Sequence, residues 1–201
     1  VSSGAAIGTK GVPRAEREEQ IVAEAIAEFA ASGYGGASMV EIARRAGISK
    51  PLIYQYFGSK DGLYLACLHA VSGALLSRLE EAELDVDDSL ASRIYPLRAI
   101  FEALEPQRFA WRMPFDPSMP STGEIAAAAA DYQARMTEIA ASGSARFLAA
   151  RGIRSRLDAS ALSVVWMGLV NSLVEWWLAH PGESAEQMTE RCYRLLGAIA
   201  G

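Results

Sequence analysis

The residues best suited to chemistry lie in one run, Ser38-Met-Val-Glu-Ile-Ala-Arg-Arg-Ala-Gly-Ile-Ser-Lys-Pro-Leu-Ile-Tyr-Gln-Tyr-Phe57, continued by Gly58, Ser59 and Lys60. Its hydroxyls, amide and cations have the reach of a nucleic-acid contact. Lys50, Tyr54 and Tyr56 can donate to phosphate oxygens, and Gln55 with the Lys50, Pro51, Leu52 turn can approach base edges. Lys60 adds a further phosphate donor, and Ser38, Arg44, Arg45 and Ser49 are counted with the DNA-binding residues.

The same run carries the signals for the elements that would hold these groups. Ser38 with Glu41 three residues on is a capping box that opens a helix at Met39. Ala43 is small where a second helix must cross. Gly47 offers the positive φ of a tight inter-helix turn, and Ile48 follows it as an apolar plug. Ser49 is placed to cap the next helix, with Pro51 tolerated in its first turn. Ile53 and Phe57 then face a small core with Ile42 and Ile48, which leaves Lys50, Leu52, Tyr54, Gln55 and Tyr56 for the outer surface. Ser59 caps the helix after that, so its first amides and Lys60 can hold one more phosphate.

This run, with IARRAGISKPLIYQYFGSKDGLYLA at its heart, resembles the DNA-binding signature of the tetracycline-repressor (TetR) family, over roughly residues 14–67. The resemblance implies a three-helix DNA-binding head, a helical ligand-binding body and homodimers that read palindromic operators. Position by position, it implies phosphate contacts at Ser38, Lys50, Tyr54, Tyr56 and Lys60, and base-facing positions at Lys50, Pro51, Leu52 and Gln55. Two positions depart from the common pattern: Tyr56 stands where a histidine is frequent, and Pro51-Leu52 replaces a frequent Gly-Thr pair. Both bear on operator sequence, not on fold.

Apolar residues recur at helical spacing through the rest of the 201 residues, 51% of which are hydrophobic. Ile21, Val22, Ala25, Ile26, Phe29 and Ala30 show the period, and alternating runs are scarce. The fold expected is all-α: an N-terminal three-helix helix-turn-helix DNA-binding domain and a C-terminal helical ligand-binding and dimerisation domain, with about nine helices in all. Breakers place the helices at 14–32, 39–46, 50–56, 60–84, 88–104, 107–112, 122–151, 158–179 and 184–199, with an acidic turn at Asp85 to Asp88. The expected division is a flexible arm at 1–13, the DNA-binding domain at 14–59 and the ligand-binding and dimerisation domain at 60–201. No Pro/Gly-rich linker separates the two domains, so the helix starting at Lys60 is expected to run from one into the other.

Net charge is −5, which argues against a protein that coats nucleic acid without selectivity. Up to Lys60 there are 7 basic and 6 acidic side chains, against 12 and 18 in the remainder. Only the first third suits phosphates. Cys67 and Cys192 lie far apart in helical contexts with no metal-ligand spacing, so no metal, cofactor or disulfide framework is expected, and a reducing cytoplasm is. Ala161 to Ala179 is long enough to raise the question of a membrane span. It carries Asn171 and Glu175 and lacks basic flanks, so it is read as a buried helix of a soluble protein with no membrane partner.

In the C-terminal part, residues 95–136 concentrate aromatic and thioether side chains. Tyr95, Phe101, Phe109, Trp111, Met113, Phe115, Tyr132 and Met136 are each ordinary core candidates. Together, and with Trp166, they could wall a cavity for a small hydrophobic or aromatic effector, oriented by Arg98, Arg112 or Asn171. The Pro114 to Pro120 loop could form its mouth, and the run Ala126 to Ala130 leaves room beside it. The helix around residues 158–179 is apolar nearly all round. Ala161, Gly168 and Ser172 make a small-residue stripe, and Leu162, Trp166, Leu169, Leu173 and Trp177 a bulky one. Using both stripes calls for a second chain, with Val165, Trp176, Met188, Cys192, Leu195 and Leu196 completing a four-helix homodimer interface.

The function expected is a ligand-responsive transcriptional regulator, a repressor by family default, that binds operator double-stranded DNA as a dimer. An enzyme is disfavoured because His69 and His180 are the only histidines, and neither has a nucleophile motif or carboxylate pair beside it. The alternative is a helical protein-interaction module without DNA binding.

Overall fold

A computed structural model describes residues 13–84 and 95–200. The proposed arm up to Val12, the acidic turn and the 88–94 part of the fifth expected helix lie outside them. Among the described residues there are eight α-helices and no strand: α1 Arg14–Gly36, α2 Met39–Arg45, α3 Lys50–Phe57, α4 Lys60–Leu84, α5 Tyr95–Leu104, α6 Gly123–Ala149, α7 Arg156–Leu178 and α8 Ala185–Ala200. The expected helix at 107–112 is instead a 3₁₀ stretch, Glu105–Phe115, broken at Gln107 and carrying Pro106 and Pro114. Two prolines that cannot donate to an α-helical ladder explain its tighter winding.

The apolar periods of these helices bury two clusters. The first joins Ile21, Ala25 and Phe29 of α1, Ile42 of α2 and Ile53 of α3 to Leu63, Tyr64, Cys67 and Leu68 of α4. The second joins Leu75, Leu76 and Leu79 of α4 to Leu97, Phe101, Tyr132, Met136, Val174, Trp177, Met188 and Cys192. A single helix, α4, therefore supplies both cores from successive turns, as expected from the missing linker.

The head's cluster also takes in Ala110 and Met113 from the 3₁₀ stretch and Ile125 and Ala129 from α6. The alanine run of α6 thus packs against the head, with Ala129 only 1% exposed, rather than leaving room beside a cavity. Small side chains at this crossing let α6 approach closely. Cys67 and Cys192 are buried and unpaired, and burial drives both thiols well above their ordinary range, Cys192 to about 11.

Candidate nucleic-acid interface

The helix-turn-helix forms at the expected positions. Ser38 Oγ accepts the Glu41 amide at 3.3 Å, which opens α2. The reciprocal half of the box is absent: the Ser38 N–H donates to Glu28 Oε1 at 3.0 Å, while the Glu41 carboxylate is taken by Arg44, whose Nε donates to Oε2 at 2.9 Å. Gly47 has φ +66°, as the turn requires. Ser49, expected to cap α3, makes no side-chain capping bond, which leaves its exposed hydroxyl for another partner. Ser59 does cap, accepting the Gly62 amide at 2.9 Å.

On α3, Ile53 is fully buried, and Ile48 and Phe57 pack partly buried against the same cluster. The opposite face carries Lys50, Pro51, Tyr54 and Gln55, all exposed, with Leu52 half-buried beside them. Lys50 Nζ lies 5.8 Å from the centre of the Tyr54 ring, and no ion pair to it is found among the described residues. A cation without a carboxylate partner, on a face of hydroxyls and an amide, suits a polyanion.

Three expected phosphate contacts have structural partners instead. The Lys60 ammonium donates to the Ala37 carbonyl at 2.9 Å and stands 5.0 Å from the Tyr34 ring centre, so in this state it ties α4 to the end of α1. Tyr56 is half-buried against Phe57, with the Arg14 guanidinium 5.2 Å over its ring. Arg45 pairs with Glu24 at 3.0 Å. Arg44 and Arg45 remain exposed, so a phosphate could compete for either.

The expected effector residues do not converge on one cavity. Met136 and Trp166 line an apolar hollow of 220 Å³ between α4, α5, α6, α7 and α8, whose walls also include Ile100, Ile139, Phe147, Met167 and Leu196. Trp111, Arg112, Met113, Phe115 and Asn171 line a second hollow of 310 Å³, shared with Phe29, Ala30 and Gly33 of α1. Tyr95 and Arg98 border a surface groove with Glu102, and Arg98 is paired to that carboxylate at 2.7 Å. Phe101 and Tyr132 are core, and Phe109 is 47% exposed. Arg112 forms a two-pronged pair with Glu175, which holds the Glu175 carboxyl below the usual range, and Asn171 Oδ1 accepts the Trp111 indole N–H at 3.2 Å. The Arg98 and Arg112 guanidiniums therefore answer acidic side chains and leave the apolar hollow without a charge.

The two stripes of α7 divide as their side chains suggest. Trp177 is fully buried and Leu162, Trp166, Leu169 and Leu173 are partly so, whereas Ala161, Gly168 and Ser172 are exposed. Beside the small residues stand Leu157, Val164, Val165 and Trp176, exposed by 82%, 71%, 66% and 38%. Of the α8 residues expected at a dimer interface, Leu195 is exposed and Leu196 lines the apolar hollow. Met188 and Cys192 are at most 1% exposed, so in this conformation they belong to the chain's own core. The cause is that α8 turns this face toward α5.

Both α4 and α7 contain windows long and apolar enough to cross a membrane; α4 supplies both cores, whereas the α7 window, expected to be buried, is only 17% buried because one of its faces has no cover within the chain. No group of three metal-ligating side chains is found among the described residues. His180 is stacked on Trp176 with ring centres 3.7 Å apart, and His69 is exposed. Sequence reasoning missed Glu28, Asp116 and Ser118, which join the α1–α2 turn from a distance and leave no local signature.

Residues 21–67 match the model of bacterial regulatory proteins of the tetR family. The chain is similar to the transcriptional activator FasR of Mycolicibacterium smegmatis, 35% identical over 116 residues, which is 58% of this chain and 53% of FasR. It is also 32% identical over 89 residues to the regulator HbdR of Aromatoleum sp., covering 44% of this chain and 36% of HbdR. The chain thus spans about half or less of these relatives. In fold it resembles the ketosteroid regulator KstR2 of Mycobacterium tuberculosis, with a TM-score of 0.74 at 19% identity over 90% of this chain and 92% of that one. FadR of Bacillus subtilis, solved in complex with stearoyl-CoA, gives 0.67 at 19% identity over 89% and 96%. The helix-turn-helix signature, its geometry and the family match all fall on the same residues, so residues 21–67 are similar to bacterial regulatory proteins of the tetR family, and the rest of the chain shares the fold of its solved neighbours.

Proposed function

We propose that the chain is a ligand-responsive transcriptional repressor that binds palindromic operator DNA as a homodimer in the cytoplasm and is released by a small hydrophobic or aromatic effector. The observation that carries this reading is the exposed face of α3, where Lys50, Tyr54 and Gln55 stand clear of the chain's own bulk. Ser38, Ser49, Pro51 and Leu52 border that face, and Arg44, Arg45, Tyr56 and Lys60 flank it as groups that DNA would have to share with their present partners.

The dimer uses the exposed stripe of α7, Ala161, Val165, Gly168, Ser172 and Trp176, with Leu195 of α8. Pairing copies there covers apolar surface that water would otherwise face, and a two-fold pair can set its two recognition helices about 34 Å apart, one duplex turn. A second copy, rather than a lipid bilayer, is the partner this stripe fits, because small residues alternate with valines as close helix packing requires.

The effector occupies the apolar hollow beside Met136 and Trp166. Among the described residues its lining carries no charged side chain, with Ser144 and the Trp166 indole its polar groups, which favours an aliphatic or aromatic body over a charged one, and FadR of Bacillus subtilis, similar in fold, is solved in complex with stearoyl-CoA. A ligand there bears on Leu79 of α4. Tilting that helix moves the head, since Leu63 and Leu68 on its earlier turns belong to the head's core. A coupling of about 1–3 kcal/mol changes operator affinity ~5- to 150-fold.

Filter binding to genomic fragments that the protein protects, titrated across salt, tests the reading. Lys50→Ala is expected to weaken binding and lower the slope of log affinity against log salt by about one, and Tyr54→Phe to weaken binding through one lost hydrogen bond. Small apolar compounds should release the fragments. Failure to protect any fragment would turn the reading toward a protein-interaction module.

A further inference from the structure

The α1–α2 turn is gripped from outside the head. The Tyr34 N–H donates to the Asp116 carboxylate across 82 residues of chain, and the Gly35 N–H donates to Ser118 Oγ at 2.9 Å across 83. Asp116 Oδ1 in turn accepts the Ser118 N–H at 2.8 Å and its hydroxyl at 2.7 Å, so the loop is shaped before it meets the turn. Gly33 makes the approach possible: its φ is +69°, and a Cβ there would stand 3.0 Å from Ser118 Oγ. Three residues past Gly35 comes Ser38, whose hydroxyl opens α2.

The other side of this loop faces the body. Asp116 borders the 310 Å³ hollow together with Arg112, Asn171 and Glu175, and the Arg112–Glu175 pair ties the 3₁₀ stretch to α7. Arg112 grips α7 and, four residues on, Asp116 grips the turn, so one short stretch of chain links α7 to two backbone amides just ahead of the DNA-reading unit. These gripping groups are not on α4, although α4 touches both ends of the route, with the Tyr64 hydroxyl donating to the Met113 carbonyl at 2.9 Å and the Tyr34 hydroxyl donating to Asp61 at 2.6 Å.

We propose that Asp116 and Ser118 are positioning residues for DNA binding, a latch by which the body sets the posture of the helix-turn-helix along a second route beside α4. The inference rests on the DNA-binding reading above. Amides held by a carboxylate form stronger hydrogen bonds than neutral pairs do, and fixing the α1 side of the turn, whose α2 side is already held by Glu28 at the Ser38 N–H, limits how far α2 and α3 can rock against α4. Shifts of α7 then reach the head through this loop even where α4 stays still.

A duplex selected from random sequence by the wild-type chain serves as the probe. In the full chain, Asp116→Ala is expected to weaken binding about fivefold or more while leaving the salt slope unchanged, because no phosphate contact is removed. Asp116→Asn keeps an acceptor oxygen for the Tyr34 amide and should restore most of the affinity. Ser118→Ala should weaken binding by less and add little to Asp116→Ala, since both act through one latch. Faster hydrogen exchange at the Tyr34 and Gly35 amides should accompany each loss. If Asp116→Ala does not fold, Ser118→Ala with the same exchange measurement carries the test. Folded variants whose Tyr34 and Gly35 amides exchange faster but whose affinity stays within about twofold of wild type would overturn the latch, as would a changed salt slope. Failure of the wild-type chain to select any duplex would overturn the DNA-binding reading itself and the latch with it.

Discussion

Helices α3 and α7 both turn an open face outward, and the two faces differ in kind. That of α3 presents Lys50, Tyr54 and Gln55, groups that water solvates well, so it can wait for a partner indefinitely. That of α7 presents Leu157, Val164, Val165 and Trp176, which gain nothing from water, so it calls for a lasting cover. On the proposed reading the two surfaces divide the work: one is held permanently and one is gained and lost with salt, sequence and ligand.

The contrast is sharpest if each surface can be broken without the other. Val165→Glu would bury an unpaired carboxylate in each half of a symmetric interface, and is expected to weaken dimerisation by about 3 kcal/mol or more. Sedimentation equilibrium across concentration reads this directly; an unchanged dimer would remove α7 from the interface. On the other side, Gly62→Ala would place a Cβ 2.1 Å from the Phe57 carbonyl oxygen, so the α3–α4 corner must open. A loss of about 2 kcal/mol is expected in denaturant unfolding of the head, with the dimer intact. Wild-type stability in that variant would show that the corner yields freely.

The smallest effect concerns the link between the regions. The Arg112 guanidinium holds the Glu175 carboxyl below its usual range, so the pair contributes stability above the ordinary carboxylate range and loses it as pH falls through the lowered value. Both side chains are more than a third exposed, and the contribution is expected to stay below about 1 kcal/mol. Glu175→Gln should flatten the acid limb of the melting temperature against pH; superimposable profiles would show the pair to be idle.

The head was legible in sequence because its determinants are local. Ser38, Gly47 and Ser59 sit within a few residues of the amides and turns they serve, and Ile42 and Ile53 follow one helical period. What escaped is what depends on distant chain. Lys60 answers Ala37, Glu28 answers Ser38, and Asp116 reaches Tyr34 across 82 residues; no spacing rule encodes such meetings. The same limit split the aromatic group of the body. Composition marked Tyr95 to Met136 as rich in rings, but only packing decides that Phe101 meets Trp177 at 5.3 Å in the core while Phe109 faces outward. On α7 the small-residue stripe faces outward, but Leu157, Val164, Val165 and Trp176 face outward beside it, so side-chain size alone does not sort the helix, and Met188 and Cys192 of α8 could not be given a side without knowing that α5 lies against them.

Because α4 feeds two cores in succession, the start of α4 is not a place where the chain can be cut. A chimera that exchanged heads with another regulator at residue 59 would strand Leu63, Tyr64, Cys67 and Leu68 among foreign neighbours. A graft made a few turns later, between Leu68 and Leu75, keeps each set of side chains with its own company, and that is where a hybrid built on this protein should be joined.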